Sequence, residues 1–232
     1  MKHPVCKTYE EAMEVVRSTE HEVLEMHSHC LFTLNNMTSL CNRLKTNRNL
    51  VILILGGLGL GSSAGKELGV ALRTHPVLQE LHLHNNKLGY EGVQLLSEAL
   101  ISSKEVNEAP NRLLKVLVLR NNDIGRHCSS MCNLCRFAPD FPCALLQVTC
   151  LQVIDLNANR IEVLPLQLSL MPNLLALDVR GNPIANVPMD VMLTARKGHQ
   201  AGWPSLKEWM KEELQKEASS SSPAGSILSM DY

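Results

Sequence analysis

The stretch at residues 78–88, LQELHLHNNKL, most constrains what this chain can fold into. Leucine stands at 78, 81, 83 and 88 and asparagine at 86, so apolar side chains alternate through the centre and a polar amide closes the phrase. The same phrase returns on both sides. Leu50, Leu53, Leu55 and Leu60 precede it, and Leu114, Leu117, Leu119, Asn122 and Ile124 follow. Two more copies hold Leu151, Ile154, Leu156, Asn159 and Ile161, then Leu174, Leu177, Val179, Asn182 and Ile184. Alternation over so short a window describes a strand with one buried face. A strand unit that recurs about every 20–50 residues cannot bury that face alone, so the copies must stack.

On these residues the chain resembles the leucine-rich repeat family over most of residues 21–190. The resemblance implies an α/β fold: a curved leucine-rich-repeat solenoid with a parallel concave β-sheet and a convex face of helices and short turns. It also implies that the asparagines at 86, 122, 159 and 182 satisfy backbone groups where each strand bends into its return path. The scaffold carries many unrelated binding surfaces and so names no ligand.

Spacing divides the array. Leu60-Gly61, Leu68 and Ala71-Leu72 recur 28 positions later as Leu88-Gly89, Leu96 and Ala99-Leu100. That length gives room for a strand and a full return helix, as in ribonuclease-inhibitor-like repeats. Gly61 and Gly89 then fall where the chain leaves the strand, and a larger side chain is expected to crowd the bend. Leu114 and Leu151 stand 37 positions apart, whereas Leu151 and Leu174 stand only 23 apart. The short interval, with Leu164-Pro165, Leu168 and Pro172, has room for a single-turn element only. An irregular first unit places Leu24, Met26 and Leu31 in strand positions and His29 in place of the asparagine.

The ends need covers, because a stack exposes its terminal core layers. Residues 1–20 are expected to form an amino-terminal helical cap, with Ala12, Val15 and Val16 on its apolar face. The solenoid is expected over 21–190, with a surface loop around Pro110 and an irregular cysteine-rich segment at 126–150. A carboxy-terminal cap over 191–217 places Leu206, Trp209, Met210 and Leu214 on one side of a helix, with Pro204 near its start. The serine-rich residues 218–232 are expected to be disordered, because they offer too little apolar surface to offset ordering entropy.

If the repeat leucines point inward, the residues between them line the concave face. The partner-binding candidates are Glu80, His82, His84, Val116, Val118, Arg120, Asp155, Asn157, Asp178 and Arg180. Glu25, His27, Ile52, Ile54, Val153 and Ala176 share that face, giving an apolar centre with charges at its margins. The face has no aromatic anchor.

Enzymatic patterns fail on arithmetic. Residues 50–69, LVILILGGLGLGSSAGKELG, mimic a phosphate loop. A dinucleotide G-x-G-x-x-G started from Gly57 or Gly59 places Ser62 or Ala64 at the third glycine. A phosphate loop ending at Gly65-Lys66 meets Leu60 where glycine is required and Glu67 where Ser or Thr is required. Cys128, Cys132 and Cys135 have the spacing of radical iron–sulfur enzymes, but no barrel surrounds them. A structural zinc is the better metal candidate, drawing on His127, Cys128, Cys132, Cys135 and Cys143, with Cys150 as a further thiol. Free thiols in a variable insertion are the plainer account of the same residues. No catalytic set is expected, and no cofactor beyond that possible zinc.

Charge excludes another class. The 22 basic and 23 acidic residues give a net charge of −1, which provides no field to attract nucleic acid or an acidic membrane. No signal-like or membrane-spanning run is evident, so a cytoplasmic protein, monomeric when free, is expected. The sequence thus reads as a non-enzymatic scaffold or regulatory adaptor for a protein partner. The resemblance also admits a regulator of a small GTPase or phosphatase, with Arg120 as a contact, and a zinc-stabilised adaptor.

Overall fold

The computed structural model describes residues 5–28, 30, 32–101, 112–125, 138–195 and 202–220. Its centre is a seven-stranded sheet in which spatial order equals chain order. The strands are β1 (Val5–Cys6), β2 (Val23–Met26), β3 (Ile52–Ile54), β4 (Glu80–His82), β5 (Val116–Val118), β6 (Val153–Asp155) and β7 (Ala176–Asp178), each parallel to its neighbour. Parallel strands need a crossover between them. Helices α1 (Tyr9–Arg17), α2 (Leu34–Leu44), α3 (Ser62–Leu72) and α4 (Gly89–Ile101) occupy the early crossovers, and 3₁₀ turns at Cys143–Gln147 and Leu166–Leu170 serve the later ones. α5 (Met189–Ala195) and α6 (Trp203–Ser220) follow the last strand.

The alternating leucines form the core as expected. Leu53, Leu81, Leu117, Ile154 and Leu177 sit in one register row across β3 to β7, and all are buried. Burying each such side chain contributes about 1.5–3 kcal/mol, so the column is the main adhesive between units. The same core includes Leu68 and Leu72 of α3, Leu96 and Leu100 of α4, and Leu164 and Leu168 at the short return.

α1 forms where the sequence places an apolar face, and Thr8 caps it by accepting the Glu11 N–H at 3.2 Å. β1 before it was not foreseen; its Val5 and Cys6 extend the sheet by pairing with Glu25 and Met26. α5 begins at Met189, inside the span assigned to repeats. α6 buries Trp203, Leu206 and Met210, and its helical hydrogen bonding runs to Ser220, past the expected start of disorder at 218. The loop expected around Pro110 lies outside the described residues, as do His29 and Leu31 of the first unit.

The glycines after each strand have a different reason from the one expected. A β-carbon at Gly61 or Gly89 meets nothing within 4 Å, so neither bend is crowded, and it is the left-handed φ of 63° that calls for glycine at Gly89. The tight place is between the helices, where a β-carbon at Gly65 falls 2.0 Å from the carbonyl oxygen of Gly92. Gly69 is similarly pressed, at 2.6 Å from the Leu96 carbonyl oxygen. The glycine run that imitates a phosphate loop therefore lets α3 and α4 touch backbone to backbone.

Candidate functional site: the open face of the sheet

The register converts the candidate residues into rows that cross the strands. The first row holds Val23, Ile52, Glu80, Val116, Val153 and Ala176. The next holds Glu25, Ile54, His82, Val118, Asp155 and Asp178. Beyond the strand ends come His84, Arg120, Asn157 and Arg180, one from each successive unit. Ile52, Ile54, Val116, Val118 and Val153 stay partly exposed, whereas the leucines between them are closed off. The apolar side chains thus fall mainly in the first row, and the basic and amide groups gather at the far margin.

Pairings within the face leave Arg120 apart. Glu80 Oε2 and His82 Nε2 lie 3.0 Å apart, and Asp155 Oδ1 accepts the Asn157 N–H at 2.8 Å. The His84 ring covers the backbone at Gly56, where a β-carbon would meet His84 Nε2 at 2.3 Å. Burial pushes the His84 pKa below its ordinary value, helped by His82 and Arg120 and opposed by Glu25 and Asp155. The ring is therefore neutral at pH 7. The exposed guanidinium of Arg120 has no carboxylate partner among the described residues.

Asp178 departs from the expected surface role. Its side chain is 2 % exposed, and Arg180 grips it through Nε at 2.9 Å and Nη2 at 2.6 Å. A buried carboxylate must be paired, and here Asp178 fixes Arg180. Ala176 beside it is buried as well, while the Arg180 side chain stays 40 % exposed.

The ladder asparagines hold the face in register. Asn86 accepts the N–H groups of Leu58 and Leu60, each at 3.0 Å, and donates to the carbonyls of Leu55 and Leu83 at 2.8 and 2.9 Å. Asn159 accepts from Asn122 and Ile124 and donates to Leu119 and Leu156. Asn122 and Asn182 bridge adjoining units in the same way. Immediately before each ladder position the chain takes a left-handed residue: Gly57, Asn85, Asn121, Ala158 or Gly181, with φ between 53° and 73°. These residues carry no role in the leucine pattern, although Gly-Leu, Asn-Asn and Gly-Asn pairs at a fixed offset signal such a turn.

Of the zinc candidates, His127, Cys128, Cys132 and Cys135 lie outside the described residues. Cys143 is buried in its 3₁₀ turn, with its sulfur 3.7 Å from the side-chain amide of Gln94 on α4. Burial pushes the Cys150 thiol up from its ordinary value. Among the described residues no group of three or more His, Cys, Asp and Glu could hold a metal ion. Among them, too, no helix is long and apolar enough to cross a membrane.

Comparison with known proteins bears on the architecture. The Leucine Rich repeat family matches residues 74–97, a segment that contains β4 and the first part of α4. The architecture is leucine-rich-repeat-like. Among solved structures, this repeat solenoid is similar to the actin-binding site 2 of leiomodin-1, at 14 % identity and a TM-score of 0.49, covering 91 % of this chain and 97 % of that one. It is also similar to the tropomodulin C-terminal domain of Caenorhabditis elegans, at 13 % identity and a TM-score of 0.48, covering 91 % of this chain and 98 % of that one.

Proposed function

We propose that the chain is a non-catalytic protein-interaction module that holds a protein partner against the concave, open face of its sheet. The observation that carries this reading is the partly exposed apolar set Ile52, Ile54, Val116, Val118 and Val153, bordered by the uncommitted charge of Arg120. Apolar side chains at the centre of a patch exclude water from a contact, and charges at its margin set orientation and partner choice. Among the described residues no group of three or more His, Cys, Asp and Glu could hold a metal ion at this face.

The contact residues under this reading are Glu80, His82, His84, Val116, Val118, Arg120, Asp155, Asn157 and Arg180, with Ile52, Ile54 and Val153 supplying apolar area. Quantitative affinity capture from cell extract tests it, comparing the native chain with an Ile54→Glu, Val118→Glu, Arg120→Glu variant whose melting curve matches. A partner retained by the native chain and lost from the variant supports the reading. Equal recovery of every specific partner sinks it and moves the site to the helices.

A further inference from the structure

At one edge of the molecule the last turns of α1 and α2 come together. Arg17, Ser18 and Thr19 on one side, and Arg43, Thr46 and Arg48 on the other, line a cavity of about 320 Å³. Its remaining lining is Val16, Asn47 and Asn49, so no carboxylate faces it among the described residues.

Basic residues at helix ends have an ordinary explanation, since each helix carboxy-terminus carries about half a negative charge. Two such ends offset about one of the three guanidinium charges here. Arg48 already serves in that way, because its Nη1 donates to the carbonyls of Lys45 and Asn47 at 3.1 and 3.0 Å. Arg17 and Arg43 are exposed, and their side chains make no hydrogen bond or ion pair among the described residues. The excess of positive charge is also felt nearby, because Arg48 adds to the burial that holds His75 neutral.

Neutral donors complete the lining. Ser18 Oγ accepts the Glu20 N–H at 3.1 Å, which leaves its own hydroxyl hydrogen to donate. Thr19 is exposed and lines the same cavity. Asn49 Nδ2 reaches the Ser18 carbonyl at 3.5 Å and keeps a second hydrogen.

We propose that this cavity binds a phosphomonoester group, with Arg17 and Arg43 forking onto its oxygens and the Ser18 and Thr19 hydroxyls donating beside them. Two surplus guanidiniums match a dianion better than a single carboxylate. A volume of about 320 Å³ is at the small end of ligand sites, enough for the phosphoryl group and the few atoms that carry it. The site lies at the helix ends and is independent of the sheet-face reading.

The test titrates the full chain at constant ionic strength and follows backbone amides by NMR. The probes are inorganic phosphate, O-phosphoserine, a short phosphoserine peptide and the unmodified peptide. Saturable shifts at Ser18, Thr19, Thr46 and Asn49 are expected with the phosphorylated probes and not with the unmodified peptide. Arg17→Gln with Arg43→Gln should weaken them about tenfold or more, Arg43→Lys should weaken them less, and Arg120→Glu on the sheet should leave them unchanged. Tighter binding of the phosphopeptide than of O-phosphoserine assigns a phosphorylated side chain as the ligand, and equal binding assigns a free phosphomonoester. The proposal is overturned if no probe saturates, or if the double variant binds as well as the native chain.

Discussion

Between β3 and β4 the chain returns through the 11-residue helix α3, whereas between β6 and β7 it returns through a five-residue 3₁₀ turn. The strands on either side of both returns are three residues long and pair one to one. Outer path and inner sheet are thus separable. Repeat length decides what covers the back of the core, while the leucine alternation and the ladder asparagine decide the strand and its turn. The two regions differ in what limits their packing: backbone contact between helices in one, and leucines over a thin turn in the other.

The sharpest way to break that comparison is to enlarge a helix contact. Gly65→Leu drives a side chain into the Gly92 carbonyl, and since the obstacle is backbone, α3 and α4 must part. We expect a loss of about 4 kcal/mol or more in chemical denaturation. Gly61→Ala, four residues earlier and facing open space, should cost less than about 1 kcal/mol. Comparable losses from the two would show that the helices do not meet through glycine.

The next effect should be common to both regions. Asn86→Ala between helical units and Asn159→Ala beside the short turn each strand several buried backbone groups. Each should cost about 3 kcal/mol, given about 1–3 kcal/mol for an unsatisfied buried group and partial relief by water. A loss confined to one of the two would tie the turn to its return path and undo the separation of outer path from inner sheet.

These residues also mark how far the sequence was legible. Leucine alternation marked the strands from β3 to β7, and the 28-residue and 23-residue intervals separated helical from single-turn returns. The ladder asparagines were legible because one residue type at one offset meets one need. β1 was not, since Val5 and Cys6 gain strand geometry only from pairing with β2. The face candidates fall at the alternating positions down to β6, but alternation says nothing about the end of a sheet. There Arg180 folds over Asp178 and closes it off. Nor did the Gly65–Lys66 run disclose its helix-to-helix contact, because close approach depends on a partner 27 positions away in the chain.

A third difference lies at the strand entrances. Three positions before the first leucine of a unit stand Asn47 and His75 in the helical region, but Val148 and Met171 in the short one. Asn47 Oδ1 accepts the Leu50 N–H at 2.8 Å, and His75 Nδ1 accepts the Leu78 N–H at 3.2 Å. At Leu151 the backbone carbonyl of Val148 does this work, also at 3.2 Å. His75 is 3 % exposed, and burial followed by Arg48 lowers its pKa to about 4. The unfolded chain therefore takes up a proton below pH 6.5 that the folded chain refuses until about pH 4. The contribution is whole above pH 6.5 and is lost as pH falls through that window. Its full size is about 3 kcal/mol. Denaturation curves from pH 7 to 4 should show less loss in His75→Asn than in the native chain. Parallel curves would remove His75 as the source of the acid sensitivity.

The smallest expected effect probes the turn itself. Where other units place glycine or asparagine in the left-handed turn, the unit beside the short return places Ala158, with φ 55°. Alanine has no side-chain amide to compensate, and its β-carbon crowds the following carbonyl in that region, at about 1–2 kcal/mol. Glycine removes the strain but adds unfolded-state entropy of roughly 0.5–1 kcal/mol, so Ala158→Gly should stabilise by a net about 0.5–1 kcal/mol. In a chain of this size that is a rise in Tm of about 1–4 °C. The side chain is exposed, so no buried contact is lost with it. A fall in Tm would mean that this turn is not strained by its alanine, and the idea that one left-handed geometry serves long and short repeats alike would fail at the unit where the return path is thinnest.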